Sequence, residues 1–289
     1  MRLGVVMTGV GAQAAANVGV LRALEERGIE PHGVCALQAG AWPAALYAVG
    51  KKSDRMIEDM KAAAAVGKRL LAPGIGAGRR VMRGGGALCS GRRLERLLLM
   101  QAGHRMLSLC EKPAAFPCRL ARNGQRVVFA TRPMLAQTGT IEVMQATVSF
   151  ASRAAMALPP FLSPVEYMGS PLLGETDAAF CCRLLAQLGA QRVLIVCVQA
   201  SPKKKPGALE LAGAVLLGDM QEAAKAERAG CLRVVTPENA GASDVRSAAV
   251  FEEAGYRAAQ EQLDALLSKL GMARCRVLPF ERRVTGQTR

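Results

Sequence analysis

Aromatic side chains make up only 4% of this 289-residue chain, and His occurs just twice. With His32 and His104 far apart and no acid partner evident for either, a His-centred metal cluster or a Ser–His–Asp arrangement has no basis. The nine Cys are odd in number and form no C-x-x-C pair, which argues against a disulfide framework or a zinc ribbon. No metal and no cofactor is expected. No apolar run reaches the roughly 20 residues of a membrane-spanning helix. The opening MRLGVVMTGVG lacks the apolar stretch and cleavage pattern of a signal peptide, so the cytoplasm is the expected compartment.

Acid is also scarce. Asp+Glu number 23 against 38 Lys+Arg, for a net charge of +15. The excess is concentrated between Lys51 and Arg126, where 17 basic residues face 5 acidic ones. Such a field attracts phosphate-bearing surfaces, and an anionic membrane fits it better than nucleic acid. A solvated Arg-rich surface with no partner accounts for the same counts. Arg79, Arg80 and Arg83, and again Arg92, Arg93 and Arg96, stand at i, i+1 and i+4, which groups each set on one side of a helix. Leu94, Leu97 and Leu98 fall on the opposite side of the second set.

What the chain has in abundance is apolar residues, at 51%, largely Ala, Leu and Val. They come in short runs that alternate with helical patterns. RLGVVMTG reads as a strand and AAANVGVLRALEERG as a helix stopped by Gly28. HGVCAL and AWPAALYAVG repeat the pair. CRLARNGQRVVFAT reads as a hairpin turning at Asn123-Gly124. ATVSFASRAAMAL is helical up to Pro159-Pro160, RLLAQLGAQRVLIVCVQ is helix then buried strand, LRVVTPE is a strand, and a long amphipathic helix follows from Ser247. The expected fold is α/β, with three layers and a mostly parallel sheet covered by helices. Seven Gly between Gly74 and Gly91 mark an insertion over about residues 72–91.

Two strand-to-helix turns are the places to look for chemistry. Gly9-Val10-Gly11-Ala12-Gln13-Ala14 fits a dinucleotide fingerprint, but CALQAG supplies no acid at the end of the second strand to hold a ribose. The other turn is Ala36-Leu37-Gln38-Ala39-Gly40. It has the form of a nucleophile elbow, G-x-S-x-G, with Gln38 at the nucleophile position.

The order of these pieces resembles the patatin-like phospholipase domain. Gly19-Val20-Leu21 and Leu24, the Gly28 stop and Ala39-Gly40 fall in that family's spacing, and GALCSGRRLERLL, RLARNGQRVVFA, FASRAAMALPPFLSPVEYM and VFEEAGYRAAQEQL continue it. The resemblance implies a domain over residues 1–270 and leaves 271–289 as a basic tail. It also implies a lipid acyl hydrolase built on a Ser–Asp dyad, with an oxyanion loop at Gly9, Val10, Gly11, Ala12 and Gln13. The chemistry departs from the family at each of these points. The nucleophile position is Gln38, the acid position counted from Pro164 and Tyr167 is Gly169, the loop's basic residue is Gln13, and Val10 replaces a glycine. An amide cannot be activated to attack an ester, and losing a serine nucleophile alone costs about 10⁶ in kcat in related chemistry. The expectation is a homologue without an intact catalytic dyad that binds a lipid, an acyl ligand or a partner, peripherally at a membrane or free of one.

Alternatives remain open at this point. A displaced nucleophile at Cys35 or Ser170 would keep hydrolase activity, and the basic stretch would make the protein an anionic-surface binder. Asp177 lies too far along to replace the lost acid. Cys181-Cys182, Trp42 and Tyr47 read as packing residues, and the oligomeric state is left open.

Overall fold

The computed structural model describes residues 1–66, 79, 87–134, 139–201, 211, 220–238, 240–242 and 244–272. Most of the 72–91 insertion and the tail after Met272 lie outside the described residues.

The strands are β1 Leu3–Met7, β2 Gly33–Ala36, β3 Ala114–Leu120, β4 Arg126–Ala130, β5 Thr140–Val143, β6 Val165–Tyr167, β7 Ser170–Gly174, β8 Arg192–Ala200 and β9 Gly230–Thr236. They form one sheet in the order β5-β4-β3-β2-β1-β8-β9. Neighbours from β3 through β2, β1 and β8 to β9 are parallel. The β3–β4 hairpin turns at the expected Asn123-Gly124 and makes that part of the sheet antiparallel. The parallel strands LGVVM and GVCA are wholly buried, as strands covered on both faces must be.

Side chains alternate between two apolar layers. Leu3, Val5 and Met7 face the layer formed by α1 (Ala16–Glu26), α2 (Ala41–Ala48), α3 (Ser53–Val66), α4 (Arg92–Ala102), α5 (Val148–Ala155) and α8 (Ala248–Lys269). Val6, Cys35, Ile195 and Cys197 face α6 (Ala178–Gln187) and α7 (Met220–Ala226). Strand periodicity of two thus builds the three layers. Helices α1 and α8 touch backbone to backbone. A Cβ at Gly19 would lie 1.9 Å from the Glu252 carbonyl, and one at Gly255 1.9 Å from that of Ala16. Burial there pushes the Glu252 carboxyl above its usual range, against the pull of the Arg22 guanidinium 2.8 Å away.

One segment departs from the sequence reading. VEYMGSPLLG closes into a tight antiparallel hairpin, β6–β7, with Tyr167 paired to Ser170. Met168 (φ 51°) and Gly169 (φ 70°) form its two-residue loop, both left-handed, as a type I′ turn requires. Gly169 is therefore the exposed corner of a hairpin and not an element of the site. Strand β7 carries the chain five residues further, pairs with β3, and ends at Gly174.

Candidate functional site

The two glycine-bearing turns meet at the C-terminal ends of β1 and β2. Leu37 donates its N–H to the Met7 carbonyl at 2.8 Å, and Ala39 donates to Gly9 at 3.1 Å. Gly9 (φ 128°) and Gly11 (φ 56°) take backbone conformations that a side chain would strain. Asn17, which the sequence reading passed over, ties β1 to α1. Its Nδ2 donates to the Thr8 and Ala14 carbonyls at 2.7 and 2.8 Å, and its Oδ1 accepts from the Thr8 N–H at 3.3 Å.

Gln38 occupies the elbow in the left-handed region, φ 51°, where a non-glycine residue is uncommon. That is the sharp turn expected of a nucleophile position, here with an amide. The side chain is 1% exposed. Its Nε2 donates to the Glu175 carbonyl at 3.0 Å, while its Oε1 is buried without a hydrogen-bond partner.

Facing this amide is Gly174. A Cβ built there would stand 3.1 Å from Gln38 Nε2, whereas one at Gly169 would meet nothing within 4 Å. The residue opposite the elbow is thus Gly174, and the count that selected Gly169 stopped one hairpin too early. A Cβ at Gly174 would also lie 2.1 Å from the Ala155 carbonyl at the end of α5. The backbone has closed over the place where an acid would need room.

The loop opposite is equally occupied. Ala12 donates its N–H to the Ala242 carbonyl at 2.7 Å and Gln13 donates to Val10 at 3.2 Å. The Ala39 N–H, just after the nucleophile position, is held by Gly9. These donors point at the protein's own carbonyls and not at a place where negative charge could develop. Val10 is buried in the apolar cluster that contains Leu37. Gln13, at the loop's basic position, is buried too, with Nε2 donating to Thr236 Oγ1 at 3.2 Å.

Beside Gly174 sits a charge cluster that no sequence signal announced. The Glu175 side chain is 0% exposed, with Arg119 Nε at 2.9 Å and Arg126 Nε at 3.2 Å. Its Oε1 also accepts from the Thr176 and Asp177 N–H groups. Asp177 caps α6 by accepting from the Phe180 N–H and pairs with Arg126 at 2.7 Å, so it is a structural acid. The arrangement welds the end of β7 to β3 and β4.

Burial or hydrogen bonding accounts for most of the other candidates. Cys35 is wholly buried against Cys181, whose thiol burial pushes well up, and that of Cys182 is pushed up to about 12, so both stay protonated. Ser170 is a buried β7 residue whose Oγ has no partner. Trp42 Nε1 donates to Gln101 Oε1 at 2.8 Å, Tyr47 OH donates to the Pro31 carbonyl, and His32 Nε2 lies 3.1 Å from the Leu188 carbonyl. His104 is exposed. Arg92, Arg93 and Arg96 lie together on the outer face of α4 with Leu94, Leu97 and Leu98 buried beneath them. Arg79 is exposed, while Arg80 and Arg83 lie outside the described residues. Among the described residues no group of three side chains could hold a metal, and no helix is long and apolar enough to cross a membrane.

A covered, mostly parallel sheet with a left-handed elbow beside a glycine loop defines an α/β fold of acyl-hydrolase type. The sequence profile described as patatin-like phospholipase matches residues 5–181, well over half of the chain, and the protein belongs to that family of lipid acyl hydrolases. Among solved structures it is similar to VipD from Legionella pneumophila, with a TM-score of 0.51 and 14% identity over 92% of this chain and 67% of VipD. It is similar also to the type III effector ExoU, at a TM-score of 0.44 and 14% identity over 93% of this chain and 53% of ExoU. That effector occurs in Pseudomonas aeruginosa. The likeness at such identity is one of fold, and the chain spans about half of ExoU's length. No protein of curated function matches the sequence.

Proposed function

We propose that this protein is a non-hydrolytic member of the patatin-like family, which uses the fold to bind a lipid or acyl-bearing ligand without turning it over. The observation that carries this reading is the pairing at the elbow, where the Gln38 amide is bonded to the Glu175 carbonyl and faces a glycine. An amide has no proton that a neighbouring base could remove to make a nucleophile, and a glycine offers no base. The purified protein is expected to hydrolyse short p-nitrophenyl esters and phospholipid vesicles no faster than Gln38→Ala, and to take up no fluorophosphonate label. Turnover or labelling abolished by Ser170→Ala or Cys35→Ala would replace this reading with that of an enzyme using a displaced nucleophile.

A membrane as the place of action is favoured by a second observation. The outer face of α4 presents Arg92, Arg93 and Arg96, with Met100 73% exposed one turn beyond. Cations around an exposed apolar side chain suit an anionic bilayer, where each Lys or Arg contributes about 1 kcal/mol. Changing the three Arg to Gln is expected to reduce co-sedimentation with phosphatidylglycerol vesicles about tenfold or more at low salt. Unchanged sedimentation would leave α4 a solvated face.

A further inference from the structure

A cleft of about 460 Å³ opens where α6, the start of β8, the end of α7 and the end of α8 converge. It is remote from the elbow. Arg192, on its wall, pairs with Leu3 at the beginning of β1, whereas the elbow follows the far ends of β1 and β2. Four cations from four segments line it, Arg183, Arg192, Arg228 and Lys269, against one acid, Glu227.

These groups divide by their partners. Arg183 holds Glu227 at 2.6 Å, so the cleft's acid is already neutralised. Arg192 is fixed as part of the wall, with Nε donating to the Leu270 carbonyl at 2.7 Å and Nη1 to the Gln191 carbonyl at 2.9 Å. Arg228 and Lys269 are exposed and have no acidic partner among the described residues. Arg228 stands on a left-handed residue, φ 52°, that ends the turn after α7.

We propose that this cleft binds a small molecule bearing a multiply charged phosphate group, with Arg228 and Lys269 as its two principal contacts and Arg192 as the fixed wall. Its volume lies within the range of about 300–1,000 Å³ typical of small-ligand sites. Convergent cations around an already neutralised acid recognise a compact dianion by charge-assisted hydrogen bonds, for which guanidinium geometry is well suited. The carboxylate of a fatty acid carries one charge and would leave two cations unanswered. The site needs nothing from the elbow, so the protein would bind such a ligand whether or not Gln38 permits catalysis.

The test is calorimetric titration of the full-length protein with inorganic pyrophosphate in low-salt buffer. Saturable binding is expected, weakened about tenfold or more in Arg228→Gln with Lys269→Gln, and retained in Lys52→Gln with Arg122→Gln, which removes the same charge elsewhere on the surface. Both pairs are exposed, and thermal melting of each variant near that of the wild type verifies the fold. No saturable binding by the wild type, or equal weakening in both double variants, would overturn the proposal by leaving only diffuse attraction to a basic protein. Once the cleft variant alone has lost binding, vesicles carrying phosphatidic acid distinguish the source. Displacement of pyrophosphate by the vesicles assigns a lipid headgroup, and its persistence assigns a soluble phosphate.

Discussion

Gly40→Ala is expected to destabilise the protein by about 3 kcal/mol or more, a large fraction of the total stability of an ordinary domain. Gly40 has an ordinary right-handed backbone, φ −56°, so the effect does not come from conformational strain. It comes from space. A Cβ there would stand 2.1 Å from the Met7 carbonyl oxygen and 2.9 Å from the Thr8 nitrogen, both backbone atoms of the central strand and its exit. Neither can yield like the end of a flexible side chain, and moving either breaks the Leu37–Met7 hydrogen bond that seats the elbow on β1. Gly241, where a Cβ would meet nothing within 4 Å, provides the control, and Gly241→Ala should stay within about 0.5 kcal/mol. Urea unfolding midpoints decide the matter. Equal midpoints for the two variants would mean that the elbow does not press against β1 as described.

The elbow was legible in the sequence because its signals are local. VCALQAG is a buried strand running into a helix, and the chain turns where the continuous apolar run gives way to Gln38. Parallel order was legible for the same reason, since LGVVM, GVCA and RVLIVCVQA are runs that only a doubly covered sheet can bury. The residue facing Gln38 was not legible. Met168-Gly169 and Leu173-Gly174 both place a glycine after an apolar side chain, and only the strand pairing of Tyr167 with Ser170 shows that the first is a hairpin corner. The Glu175 cluster is harder still. Its arginines lie 56 and 49 residues away in sequence, on the two strands of the β3–β4 hairpin, and no local pattern fixes how β7 registers against that hairpin. The same holds for the basic cleft, whose cations come from segments that individually read as solvated charge.

Gln38→Ser combined with Gly174→Asp, which restores the family's two catalytic side chains on paper, is expected to yield no esterase above the Gln38→Ala background. The aspartate has no room. Its Cβ would sit 2.1 Å from the Ala155 carbonyl oxygen at the end of α5, and that helix is anchored by Ser152 Oγ donating to the Ala41 carbonyl at 2.8 Å. Gly174→Asp alone should therefore cost about 3 kcal/mol through overpacking, and burying an unpaired carboxylate adds to that. Gly169→Asp should cost no more than about 1 kcal/mol, because the corner is exposed and Asp tolerates the left-handed backbone. A serine at position 38 would then lack its base, and it would lack oxyanion donors as well. The Ala39 and Ala12 N–H groups are held by the Gly9 and Ala242 carbonyls, at 3.1 and 2.7 Å. Removing even one such donor costs about 10²–10³ in rate in enzymes that rely on it. On the non-hydrolytic reading proposed above, the departure from the family's site therefore extends from two side chains to the backbone around them, and reversing the side chains alone is not expected to reopen it. Urea midpoints for Gly169→Asp and Gly174→Asp, with esterase assay and fluorophosphonate labelling of the double variant, test both halves of the argument. A folded, labelled and active Gln38→Ser/Gly174→Asp protein would show that the backbone had kept an acyl hydrolase site open.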